Sequence, residues 1–260
     1  MRILLPPSEG KTTPEAGPPV ALPRLLRPAL GQARQQVMDA LVRLCEADTD
    51  AAMRVLKLGE RLRGDVAANA KLATAPAAAA EHVYTGVLFE ALDLPNLSPA
   101  ARKRADERVV IFSGLWGVVR PGDPIPAYRC PVGATLPHVE GKRPVGLGSF
   151  WRRQLEPELA AEFDGQFLVD LRSGPYAAMW RPAPGSHAAV RVLHERLVGG
   201  ELTRSVVSHF NKATKGRLAA ELLREAVEAD SVASFTEALR DLKYRVEAEA
   251  SRVDIIVTEL

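Results

Sequence analysis

Residues 113–129, SGLWGVVRPGDPIPAYR, follow the apolar run Val109-Val110-Ile111-Phe112, and their reading decides the fold class. An uninterrupted apolar run stopped by Ser113-Gly114 has the pattern of a buried strand that ends in a turn. Gly114 and Gly117 give Gly-x-x-Gly spacing, and Arg120-Pro121 and a proline-rich loop lead on to Tyr128-Arg129. Glycine lets a backbone approach a neighbour closely, and guanidinium groups suit a phosphate or carboxylate. A tight strand-to-loop turn with surface arginines accounts for the same letters, and both readings stand.

Working outward, short apolar runs recur at residues 3–5, 167–171, 205–210 and 253–257, each flanked by polar or turn residues as buried strands are. Helical patterns lie between them, at residues 29–44, 51–75, 216–229 and 234–250. This mixture predicts an irregular mixed α/β architecture in a single domain over residues 1–260. Residues 6–28 carry seven prolines and read as a long functional or mobile loop. Residues 225–260 read as an acidic, helical C-terminal stretch.

The chain has 260 residues, 47% of them apolar and 25% charged, the composition of an ordinary globular protein. No apolar run is long enough to span a membrane, and the N-terminus lacks a secretory pattern, so a cytoplasmic, monomeric protein is expected. Cys45 and Cys130 stand at no metal-ligand spacing, and neither a metal nor a cofactor is expected. The net charge of +2 is unevenly spread. Residues 204–224 hold five basic side chains and one acidic, whereas residues 225–260 hold nine acidic and four basic. Such asymmetry can create an anion-binding surface on a nearly neutral protein.

Four segments carry chemistry. After the first strand, Ser8-Glu9-Gly10-Lys11-Thr12 offers a cation and two hydroxyls. It is not a P-loop, because Leu5 stands where the upstream glycine is required. In His82-Val83-Tyr84-Thr85-Gly86, Thr85 suits a helix cap or a ligand contact. In Asp170-Leu171-Arg172-Ser173-Gly174-Pro175-Tyr176, the candidates are Asp170 as a base or arginine partner, and Ser173 and Tyr176 as ligand contacts. Lys212, Lys215 and Arg217, with His209 nearby, place cations at a helix entry. Asp170, Ser173 and His209 are the catalytic candidates.

In order, these segments resemble the YaaA family. Its Ser-x-x-Lys-Thr loop corresponds to residues 8–12, and its Val-Tyr-Thr-Gly element to residues 83–86. Its Ser-Gly-Leu-Tyr-Gly-Val-Leu-Arg-Pro signature corresponds to residues 113–121, with Trp116 in the tyrosine position, and its Pro-Tyr-Arg to residues 127–129. Its late basic segment corresponds to residues 210–217. The resemblance implies a mixed α/β fold with a positively charged cleft, non-specific DNA binding, and protection against iron and peroxide damage. Glu9-Gly10 and the acidic C-terminal stretch depart from the family pattern.

Two functions follow. One is a peroxide-stress protein that holds duplex DNA through phosphate contacts. The other is an enzyme or binder for a small anion, a nucleotide or nucleoside, in a pocket at the strand ends. The binding candidates are Ser8, Lys11, Thr12, Thr85, Gly114, Gly117, Arg120, Tyr128, Arg129, Tyr176, Lys212, Lys215 and Arg217.

Overall fold

The computed structural model describes residues 1–198 and 201–258, with the side chains of Val198, Ser208 and His209 outside the description. Strand β1 (Arg2–Leu5) leads through the proline-rich segment to helices α1 (Gly31–Ala47), α2 (Thr49–Leu56) and α3 (Arg63–Asn69). Next come β2 (Ala78–Ala79), α4 (Ala80–Val83), α5 (Val87–Leu92) and α6 (Pro99–Arg108). Strands β3 (Val109–Ser113), β4 (Gly117–Val119), β5 (Pro124–Ile125), β6 (Thr135–Glu140) and β7 (Arg143–Gly146) precede α7 (Leu147–Glu162). The chain closes with β8 (Leu168–Asp170), α8 (Gly174–Ala177), β9 (His187–Val198), β10 (Glu201–Ser205), α9 (Ser208–Arg224), α10 (Val232–Asp241), β11 (Val246–Glu249) and β12 (Arg252–Val257).

The main sheet has the order β11-β12-β9-β8-β1-β3-β4, with β10 paired to β9. Its inner strands β12, β9, β8, β1 and β3 are parallel to one another. Strands β4, β10 and β11 are antiparallel, and two small ladders lie apart from the sheet. The architecture is the mixed α/β one expected. Parallel strands are covered on both faces and read as continuous apolar runs, which is why residues 3–5, 109–112 and 167–171 were legible. All five residues of β3 are buried.

Local chemistry sets the helix starts. Asp48 accepts the Ala51 N–H at 3.0 Å to cap α2, and Ser98 caps α6 ahead of Pro99. Ser231 and Ser234 form a capping box at α10. Arg34, within α1, is fully buried, and its guanidinium donates to the carbonyls of Trp116 (3.0 Å) and Val118 (2.9 Å). It therefore clamps α1 to the outer strand β4.

Two sequence expectations are corrected. Residues 205–210 are not a strand: β10 ends at Ser205 and α9 begins at Ser208. Residues 225–260 are helical only in part, over α10, while the run 253–257 lies in a strand as expected. After α10 they form the hairpin β11–β12, and β12 lies inside the sheet between β11 and β9. Charged side chains there are ion-paired: Glu247 binds Arg204, Asp254 binds Arg191, and Arg245 binds Glu195 of β9.

Helix α9 packs against α5, α6 and β9, α6 also meets β3, and α10 meets β9 and β11. Gly216 makes the α9–α5 packing possible, because a Cβ there would sit 2.2 Å from the Leu88 carbonyl oxygen and 2.8 Å from the Ala91 Cβ. Gly64 in α3 has nothing within 4 Å of such a Cβ. Gly216→Val should therefore lower stability by about 1–3 kcal/mol through overpacking. Gly64→Ala should raise it by about 0.4–1 kcal/mol by restricting the unfolded chain. Denaturant midpoints measured on the two variants check both signs.

Candidate functional site

Strand β1 pairs with β3 on one side and β8 on the other, and the chain visits β3 first and β8 later. The strand order thus reverses between β1 and β8, and a crevice opens beyond their carboxyl ends, where open α/β sheets hold ligands. The loop after β1, the loop after β8 and the first turn of α9 enclose a cavity of about 340 Å³ there. Ser8, Phe89, Ser173, Tyr176, Lys212 and Lys215 are among its walls. A second cavity of about 200 Å³ shares Pro7, Ser8, Glu9 and Tyr176 with the first, and is lined further by Lys11, Lys57, Tyr128, Arg129 and Cys130.

A buried ion pair stands behind the first cavity. Asp170, at the end of β8, receives Arg172 Nε at 2.9 Å and Arg172 Nη2 at 2.7 Å, a bidentate pair with a fully buried guanidinium. Arg172 also lies over the Phe112 ring, 4.2 Å from its centroid. Burial pushes the Asp170 carboxyl up, but the hydrogen bonds and charge of Arg172 outweigh it and leave the group below the usual carboxylate range. Lys215 is buried and donates to the Leu171 carbonyl at 3.1 Å. Desolvation lowers its pKa to about 8, opposed by the charge of Asp170. Lys212, one turn earlier, is exposed at the rim and has no ion-pair partner among the described residues.

Between the cavities, residues 10–12 pair with residues 83–85: Thr12 N–H donates to Val83 at 2.9 Å, and Thr85 N–H to Gly10 at 3.2 Å. Gly86, at φ 101°, accommodates the Ser8 hydroxyl. Lys11 Nζ donates to the Ser8 carbonyl at 2.6 Å and lies over the Tyr128 ring at 4.3 Å. Behind it the buried hydroxyls of Tyr84, Tyr128 and Ser113 form a chain, at 2.8 and 2.6 Å. Ser113 Oγ also accepts the Leu115 and Trp116 N–H groups, closing the β3–β4 turn.

The structure brings Ser8, Lys11, Tyr128, Arg129, Ser173, Tyr176, Lys212 and Lys215 to these two cavities. It places Arg120 elsewhere. β4 runs back along β3, so Arg120 emerges at the amino end of the sheet beside Arg2, Glu107 and Glu162, ion-paired to Asp123 at 3.3 Å. Gly114 and Gly117 are enclosed by the protein itself. A Cβ on Gly114 would meet the Cys130 carbonyl at 2.3 Å, and one on Gly117 (φ 72°) would meet the Trp151 ring at 2.7 Å. The close approach read from their spacing is real, but the approaching atoms belong to the chain rather than to a ligand.

Asp170 is committed to Arg172, and Thr12 is exposed outside the cavity walls. Thr85 is held by its backbone to Gly10, and Arg217 turns toward Thr214, away from Lys215. The side chain of His209 lies outside the described residues. Sequence reading gave no role to Asn211, Phe89, Lys57 or Arg172. Asn211 and Phe89 sit within or beside quoted motifs, whereas Lys57 follows α2 in a left-handed conformation (φ 54°) that no motif announced.

The model of one family, described as peroxide stress protein YaaA, matches residues 1–250. The chain belongs to this family. A UPF0246 protein of Streptomyces coelicolor is 47% identical over 253 residues, covering 96% of this chain and 93% of its own. A UPF0246 protein of Corynebacterium efficiens is 39% identical over 256 residues, 98% of each chain. A UPF0246 protein of Shewanella woodyi is 26% identical over 235 residues, 87% of this chain and 88% of its own. The YaaA match spans both cavities and every loop that lines them.

In this YaaA-family chain both thiols are buried, and burial pushes Cys45 up to about 11 and Cys130 up to about 12. Reaction with peroxide requires a thiolate. The folded protein should consequently react slowly with dithionitrobenzoate and hydrogen peroxide, and release two fast thiols only on unfolding. A fast phase in the folded state, read by absorbance or intact mass, would show that one thiol is open.

Proposed function

We propose that this chain serves the peroxide-stress role for which its family is named by binding a small phosphate-bearing ligand, of the nucleotide class, in the crevice between β1 and β8. The observation that carries this reading is Lys215. Its ammonium lies on the cavity floor with one backbone carbonyl as partner, because Arg172 has taken both oxygens of the nearest carboxylate. Lys212 adds a second cation at the rim, and Ser8 and Ser173 add hydroxyls. The lining also includes the apolar side chains of Val87, Leu88, Phe89 and Leu171, which suit a flat ring. A charge-assisted contact in such a recess is stronger than one in open water.

Duplex DNA is the second reading. Exposed Lys212 and Lys57, both at the cleft, favour it. Against it, Arg120 and Arg129 are ion-paired, and Lys215 is too recessed for a duplex backbone.

Calorimetry with mononucleotides and with duplex DNA at two salt concentrations separates the readings. For a mononucleotide, Lys215→Met should cost about 2–5 kcal/mol, with little salt dependence. Affinity should hold below about pH 8 and fall above it, because the bound anion needs the Lys215 ammonium and that proton leaves near pH 8. Unchanged affinity in Lys215→Met and Lys212→Ala would refute the site. Steeply salt-dependent DNA binding without mononucleotide binding would favour the second reading.

A further inference from the structure

We propose that Lys11 is a nucleophilic amine, which condenses with the carbonyl carbon of an aldehyde or ketone entering the second, 200 Å³ cavity. This rests on the proposed function only in taking the same cleft as the ligand entrance. The backbone of Lys11 is pinned by its bridge to Tyr84, so the side chain projects from a fixed point. Among the described residues its Nζ hydrogen-bonds to main-chain oxygens, those of Ser8 at 2.6 Å and Glu9 at 3.4 Å. The nearest aspartate, Asp65, is engaged by Arg129 at 2.8 Å. Leu56, Leu58, Leu62 and Pro131 line the same cavity and limit the water available to the amine.

The groups facing Nζ act in both directions. Desolvation and then the Arg129 charge disfavour the ammonium, while Cys130, Glu9 and Asp65 act weakly in its favour, and the outcome is a pKa lowered to about 7. Burial keeps the Tyr84 and Tyr128 phenols neutral, so they present ring faces, at 5.4 and 4.3 Å, and supply no countercharge. A lysine desolvated beside a second cation is the arrangement that makes an amine nucleophilic at neutral pH. Lys215 is also recessed, but it faces Asp170 and lies in the other cavity.

The step balances without an oxidant or reductant. The Nζ lone pair bonds to the carbonyl carbon, and the carbonyl oxygen takes up a proton to give a carbinolamine. Loss of that oxygen as water, with the remaining nitrogen proton, leaves an imine. The reverse step, hydrolysis, restores the amine.

The test uses propionaldehyde, which carries no phosphate, with cyanoborohydride to trap the imine as a secondary amine, and peptide mapping of the intact protein. At pH 7, Lys11 should be alkylated about tenfold or more faster than exposed Lys103 and Lys142, because a far larger fraction of it is neutral. Its rate should level off above about pH 7, while that of a free lysine amine added as reference continues to accelerate toward pH 10. Because propionaldehyde has no phosphate and the readout is the alkylated residue, the result stands or falls independently of mononucleotide binding. Alkylation of Lys11 no faster than of Lys103, with a rate still rising at pH 10, would overturn the proposal.

Discussion

The forked pair between Asp170 and Arg172 organises the carboxyl end of the sheet. It consumes both carboxylate oxygens, anchors the loop after β8 through Arg172 and the Tyr176 carbonyl, and stacks that loop on Phe112 of β3. Removing one partner of a buried pair of this kind costs about 3–5 kcal/mol. Its consequence for the site is indirect. Lys215 packs beneath the same loop, and with Asp170 already neutralised it turns to the Leu171 carbonyl and the cavity. One internal ion pair therefore both fixes the wall and leaves a buried cation under-neutralised behind it.

Charge elsewhere is spent differently. The arginines of β9, β10 and β12 lie against glutamates and aspartates of β9, β11 and β12, forming a laced outer face. Arg204, from the basic segment 204–224, is thus drawn to Glu247 of the acidic C-terminal segment. Glu195 and Asp254 are buried there and their arginine partners half-exposed, and the pairing removes those arginines from the supply of free cations. What is left near the crevice is lysine: Lys11, Lys57, Lys212 and Lys215.

Much of this was legible from residue order. Strands β1, β3 and β8 announced themselves because parallel strands are buried on both faces, and the loops after β1 and β8 carry the residues that line the crevice. Three features were not. Val206-Val207 resembles strand but is a connection into α9, since local β-propensity cannot say where a neighbour is available. Glu-rich β11 resembles helix, yet it pairs with β12 as an outer strand. Arg120 lay on a promising loop, but β4 doubles back after a three-residue turn and delivers it to the opposite end of the sheet. Spacing records that a glycine permits close approach; only packing tells whether the approaching group is a ligand, a Cys130 carbonyl or a Trp151 ring.

Hydrogen-exchange mass spectrometry of the full chain, with and without a saturating mononucleotide, tests most directly whether the β1–β8 crevice is the binding site. The account predicts protection confined to residues 6–12, 86–89, 171–177 and 208–216, with residues 118–124 unchanged. Protection centred on residues 118–124, or spread along the β9–β12 face with none at the crevice, would contradict it.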